Sequence, residues 1–137
     1  MTGHSLGGCQ ATLAGLDIKE KLKPATPITI TTFGQPRLGN KAFSDYVDSL
    51  FPEGTYYRVI HTNDDVGQYP PAYFGYLHQG LEVWYDNDED LGHYKVCPGD
   101  PESPSCQNSL REYEHPPHLQ YLGLNLCYQC TAYPTML

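Results

Sequence analysis

The chain has 137 residues, 39% of them hydrophobic, and its 8 Lys and Arg against 16 Asp and Glu leave a formal net charge of -8 at pH 7. That length allows one domain at most, and ordinary apolar content with only 18% charged residues excludes the disordered class. The few basic residues are scattered in an acidic chain, which makes nucleic acid a poor partner; no apolar run approaches the roughly 18 residues of a transmembrane segment, and no signal-peptide pattern opens the chain.

Residues 6–22 carry Ala11, Ala14, Ile18 and Leu22 near helical spacing, with Lys19, Lys21 and Lys23 in the last turn and Pro24 as a stop, so a first helix is predicted there. Residues 28–33 are short and β-branched, as a buried strand requires, and run into a loop over residues 34–39. Asn40 can cap a second helix with Phe43, Tyr46, Val47 and Leu50 on one face and Pro52 ending it. Residues 56–61 read as a second strand. Leu81, Val83 and Tyr85 alternate with Glu82 and Trp84, which reads as a third strand with one face more exposed; residues 93–96 can pair with it through an acidic, solvated loop at 86–90. Strands separated by helices argue for an α/β sheet, and the later strands for its antiparallel edge.

The five cysteines, at 9, 97, 106, 127 and 130, are an odd number, so at least one thiol is free or pairs outside the chain. Cys127 and Cys130 form a C-x-x-C that no second pair or His pair accompanies, so no zinc pattern emerges. Cys97 and Cys106 bracket a loop rich in Pro, Gly and Ser whose ends a disulfide would tie, implying an oxidising compartment.

The sharpest chemical signal is Gly3-His4-Ser5-Leu6-Gly7-Gly8, a G-x-S-x-G followed by an apolar helix. In a nucleophile elbow the serine sits on a strained strand-to-helix turn, where side chains two residues before and after would collide. The turn also aims the Leu6 backbone N–H at a forming oxyanion. The simpler alternative is a Gly-rich helix start with Ser5 as its cap. A serine hydroxyl needs a histidine base and a carboxylate that orients it, in the order Ser, acid, His. Asn63-Asp64-Asp65-Val66, just past the second strand, offers the acid. Of six histidines, His4 would point elsewhere on the turn, and His61, His78 and His93 precede the acid or lie among strand residues. His115 and His118 remain, and spacing does not choose between them.

These stretches resemble the C-terminal half of a fungal class 3 lipase, the triacylglycerol lipase and feruloyl esterase family. The likeness is carried by Thr2-Gly3-His4-Ser5-Leu6-Gly7-Gly8, Thr32-Phe33-Gly34-Gln35-Pro36-Arg37-Leu38-Gly39-Asn40, Asn63-Asp64-Asp65-Val66 ahead of Tyr69-Pro70-Pro71, and His118-Leu119-Gln120-Tyr121-Leu122-Gly123. The resemblance implies an α/β-hydrolase fold with Ser5 as nucleophile, Asp64 as triad acid, His118 as base and the Leu6 amide as one oxyanion donor. It also implies that Cys97 and Cys106 form a disulfide, that no cofactor is needed, and that the parent protein is a secreted hydrolase of lipid esters acting at a lipid–water interface. A feruloyl esterase or phospholipase of the same family is the alternative. Gly67 departs from the family's usual proline, so a looser acid loop is expected, and Asp65 beside Asp64 is a spare acid. Cys127 lies where such lipases bond to a cysteine near the amino terminus, a partner this chain does not hold. Tyr69, Tyr73, Phe74, Tyr76 and Leu77 could line an apolar site near the acid loop.

With Ser5 so near Met1, the strand before the elbow, the lid and the second oxyanion donor are expected outside the chain, and residues 1–137 are expected to be the C-terminal portion of one domain. A non-catalytic remnant is the competing expectation.

Overall fold

A computed structural model describes residues 1–23, 25, 27–87, 92–97 and 99–126. The pairing of Cys127 and Cys130 and most of the acidic run at 86–90 lie outside the described residues. A five-stranded sheet runs in the order β1 (Thr2–His4), β2 (Ile30–Phe33), β4 (Tyr56–His61), β6 (Leu81–Tyr85), β7 (Lys95–Cys97). The first four strands are parallel and only β7 is antiparallel, so the expectation of an edge built from all the later strands is corrected: β6 joins the parallel set. The strand expected to be missing before Ser5 is also present in short form, with Thr2, Gly3 and His4 registered on Thr31, Thr32 and Phe33. Two small ribbons complete the framework, β3 (Gly39–Asn40) on β5 (Tyr76–Leu77) and β8 (Gln120–Tyr121) on β9 (Leu124–Asn125).

Helix α1 spans Leu6–Leu22, and α2 spans Lys41–Leu50 with the Asn40 side chain accepting the Phe43 N–H, as its sequence predicts. Leu16 of α1, Ile30 of β2, Val47 and Phe51 at α2, and Tyr56 of β4 form one buried cluster, which clamps both helices to the parallel strands. Ile60, Trp84, Cys97 and Cys106 form a second, with the Cys97–Cys106 disulfide at its edge.

On β6 the faces run opposite to hydropathy: Glu82 and Trp84 are buried, while Leu81, Val83 and Tyr85 are half-exposed. The inversion has a partner as its cause. Arg58 of β4 lies beside Glu82 at 3.4 Å, its Nε donates to the Gln79 carbonyl, and the pair is sealed from water, so both charges keep hydrogen-bonded company inside.

A second ion pair ties the disulfide loop to the loop after β2. The Arg37 guanidinium grips Glu102 through two bonds of 2.8 and 2.7 Å, and Glu102 also accepts the His78 backbone N–H. Burial pushes the Glu102 carboxyl up, but Arg37, aided by His78 and Asn108, overrides it and holds the group down at about 2 against an ordinary 4.5. A carboxyl depressed on folding contributes stability that is complete above its unfolded value and lost as pH falls through the folded one. The melting-temperature advantage of the natural chain over Glu102→Gln is therefore expected to shrink between pH 4.5 and about 2, which thermal unfolding across that range checks.

Candidate active site

Ser5 joins β1 to α1 with φ 58° and ψ -132°, a strained conformation for a residue with a Cβ. Its backbone N–H donates to the Phe33 carbonyl at 2.8 Å, which pins the turn to the neighbouring strand. The side chain makes no cap bond to the helix, so the simpler reading of Ser5 as a cap is set aside. Gly3 has to be glycine, since a Cβ there would lie 2.1 Å from the Gly7 carbonyl oxygen. Gly7 does not share that constraint: a Cβ on it meets nothing within 4 Å, and the tight approach on the helix side is at Gly8, against Gln35 at 3.0 Å. The expectation of collisions on both sides of the serine holds only for the strand side.

From the far end of the chain, the short helical turn Pro116–Leu119 carries His118 to this elbow. Its Nε2 lies 2.8 Å from Ser5 Oγ, and its Nδ1 lies 2.8 Å from Asp64 Oδ2 and 3.1 Å from Oδ1. With Nδ1–H donating to the carboxylate, Nε2 is left with its lone pair toward the serine hydroxyl. Asp64 is fully buried, its Oδ1 accepting the Val66 N–H at 2.8 Å and its Oδ2 the Tyr121 hydroxyl at 2.6 Å. Burial, then the Asp64 charge, pushes the Tyr121 phenol well up, so it stays protonated and donating. The Leu6 N–H opens α1, where helix geometry offers it no internal acceptor.

The two residues held in reserve by the sequence pair with each other. His115 Nδ1 meets Asp65 Oδ1 at 3.0 Å, and its side chain is 59% exposed against 5% for His118. The acid loop is also not loose: Gly67 is buried, its carbonyl accepts from His78 Nε2 at 2.7 Å, and the Gln68 and Tyr69 amides close turns back to Asp65 and Val66. Of the residues expected to line an apolar site near the acid loop, Tyr69, Tyr73 and Leu77 border an open groove beside Gln68, Arg37 and Glu102, while Phe74 and Tyr76 are exposed and lie outside its lining. Cys9, one turn past Ser5, is buried and its thiol is pushed up to about 11 by desolvation, which keeps it protonated at neutral pH. The described residues that could gather a metal, Glu82, Cys97 and Cys106, have both sulfurs tied in the disulfide.

A model of the family Lipase (class 3) matches residues 1–74. The chain belongs to the class 3 lipases. It is 40% identical to the lipase of Rhizomucor miehei over 130 residues, which is 91% of this chain and 34% of that protein. It is 39% identical to a secreted mono- and diacylglycerol lipase of Fusarium solani over 72% of this chain and 30% of that protein. Among solved structures, a triacylglycerol lipase whose catalytic centre is described as a serine protease triad superposes with a TM-score of 0.81 at 40% identity, over 90% of this chain and 47% of that one. The chain therefore has the α/β-hydrolase fold, and it spans about a third of the length of the curated relatives it matches.

Three neighbours of the site in this class 3 lipase carried no role in the sequence reading. His4, expected to point away, instead sets its ring 4.5 Å from that of His118 and donates from Nε2 to the His118 carbonyl at 2.8 Å; burial, and then the charge of His118, keep it below its ordinary pKa. Tyr121 is the second. The third is Gly34, where φ is +55° and a Cβ would sit 2.7 Å from Asp64 Oδ2 and 2.8 Å from His118 Nδ1. Their one sequence signal was membership in the quoted motifs, because contacts between residues 114 and 57 positions apart have no spacing rule. Gly34→Ala is expected to wedge a methyl into the Asp64–His118 bond and lower kcat by about 10²-fold, with a loss of stability from the positive φ of about 1 kcal/mol or more, checked by steady-state kinetics and thermal unfolding.

Proposed function

We propose that this chain carries the nucleophile, base and acid of a secreted carboxylic ester hydrolase acting on lipid esters. The observation that supports it is the unbroken line of hydrogen bonds from Asp64 through His118 to Ser5, on a strained turn at the mouth of a parallel sheet. Ser5 Oγ attacks the ester carbonyl carbon as His118 Nε2 takes its proton, and the oxyanion forms against the Leu6 N–H at the positive end of α1. Collapse expels the alcohol, which leaves with the proton from His118, and Ser5 is acylated. Water then attacks the acyl group, giving its proton to the same nitrogen; the carboxylic acid departs and Ser5 Oγ is reprotonated. Asp64 keeps the imidazole in the right tautomer and stabilises its charged form, held in turn by the Tyr121 hydroxyl.

Secretion is supported by the Cys97–Cys106 disulfide, which persists in oxidising compartments, and by the Fusarium relative's own description as secreted. Lipid esters as substrates are supported by two of these proteins, whose printed names are mono- and diacylglycerol lipase and triacylglycerol lipase. The test is covalent: a fluorophosphonate probe added to the natural protein is expected to modify the peptide holding Ser5, read by mass spectrometry. Labelling elsewhere with Ser5 untouched would refute the assignment.

A further inference from the structure

We propose that Gln107 is a positioning residue that aims Asp64 at His118 by holding the Asp64 main chain; this rests on the reading of those residues as a triad. The Asp64 carboxylate has its own partners, but its direction also depends on the plane of its peptide. That peptide's carbonyl accepts a 2.7 Å hydrogen bond from Gln107 Nε2, in a place closed to water, Gln107 being 2% exposed.

The donor is itself held on every side. Its backbone N–H donates to Glu82 Oε1 at 3.0 Å, and Glu82 is the buried partner of Arg58. Its Oε1 accepts from Gln68 Nε2 at 2.9 Å, and its carbonyl receives the Tyr113 hydroxyl. It directly follows Cys106, which is fully buried and linked through its sulfur to Cys97 on β7. The amide is therefore bound to the central sheet by a covalent link and a charge pair, and its two polar atoms span residues 64 and 68, the two ends of the acid loop.

Gly67 fits the same device. A Cβ at that position would lie 3.0 Å from Gln107 Oε1 and 3.4 Å from Ile60 Cδ1, so a side chain there would press on the amide that the loop now approaches closely. What a proline ring or a packed side chain could do for the loop from within, this chain does from outside, with a hydrogen-bonding amide. Removing the donor would leave a buried carbonyl unpaired, and rotating the Asp64 peptide toward another donor would carry the carboxylate off the His118 Nδ1–H.

Gln107→Glu keeps the shape and replaces Nε2 by an oxygen, and Gln107→Met keeps the length with no polar atom. Both are made in the full-length natural protein, with active sites counted by a phosphonate ester and a dissolved short-chain p-nitrophenyl ester as substrate. We expect kcat per titrated site to fall about tenfold with KM nearly unchanged. The acid limb of the kcat/KM profile is expected to move to lower pH, because an imidazolium with a misaligned carboxylate loses its proton more readily. A lowered melting temperature with kcat per site and the acid limb unmoved would overturn the proposal, as would the absence of titratable sites in both variants, since either outcome makes Gln107 a structural support only. Ser5→Ala run alongside separates the two levels. Activity surviving in it takes down the triad reading and this inference together, whereas activity abolished there and intact in both Gln107 variants refutes the inference alone.

Discussion

In the complete natural protein, Ser5→Ala is expected to lower kcat for ester hydrolysis by about 10⁴- to 10⁶-fold while the fold is kept. The size follows from the chemistry: without Oγ there is no acyl-enzyme, and what survives is binding and whatever the oxyanion donors do for direct attack by water. The fold survives because the turn is held by backbone, namely the Ser5 amide on the Phe33 carbonyl and the Gly8 amide on the Ser5 carbonyl, and an alanine Cβ is no more strained at φ 58° than that of serine. A sharper form uses Ser5→Gly, which is expected to be as inactive as Ser5→Ala yet more stable, by about 1 kcal/mol, because glycine adopts a positive φ without steric cost. A strained position relieved by the variant that destroys activity is the signature of a residue kept for its chemistry. Steady-state kinetics and thermal unfolding of the three proteins check both parts, and activity within a few-fold of natural in Ser5→Ala would end the assignment.

The second expected result is a contrast between two histidines three residues apart. His118→Ala should be as severe as Ser5→Ala, since these groups act as a unit and losing either costs about as much as losing both. His115→Ala should leave kcat/KM within about twofold, because its side chain is exposed, it pairs with the half-buried Asp65, and a pair near the surface contributes little. The two rings lie 5.4 Å apart, so a non-specific effect of removing an imidazole would reach both. The reverse ranking would mean that the base is His115 and that the 2.8 Å contact of His118 with Ser5 is incidental. The same measurement tests the acid: Asp64→Asn should cost about 10⁴-fold through the wrong imidazole tautomer, and Asp65→Asn almost nothing.

Much of this architecture is legible in the order of the amino acids alone. Helix α1 ends where the lysines and Pro24 say it should, and Asn40 caps α2 through a bond that its residue type and position predict. Those are local events, decided by groups within one turn of each other, so adjacent residue types suffice. The Ser5, Asp64 and His118 assignments came from motifs, and the geometry brings the three together. The readings that missed had distant causes. Glu82 turns inward because Arg58, on another strand, waits there; His4 faces the site because a histidine more than a hundred positions away presents its carbonyl; β6 is parallel because the chain crosses over after β4.

By itself the sequence determined most of the elements, the elbow pattern and the residue types gathered at it, because caps, breakers and hydrophobic period act over a few residues. The family motifs pointed to Asp64 and His118, but residue type and spacing alone do not choose them, and which supporting groups meet at Ser5 was decided only by the tertiary structure. Asp64 and Asp65 are the same residue type one position apart, as His115 and His118 are three apart, and composition gives each pair equal claim. The sheet register and the turn at Pro116–Leu119 bury one member of each pair against the serine and leave the other two paired with each other nearer the surface.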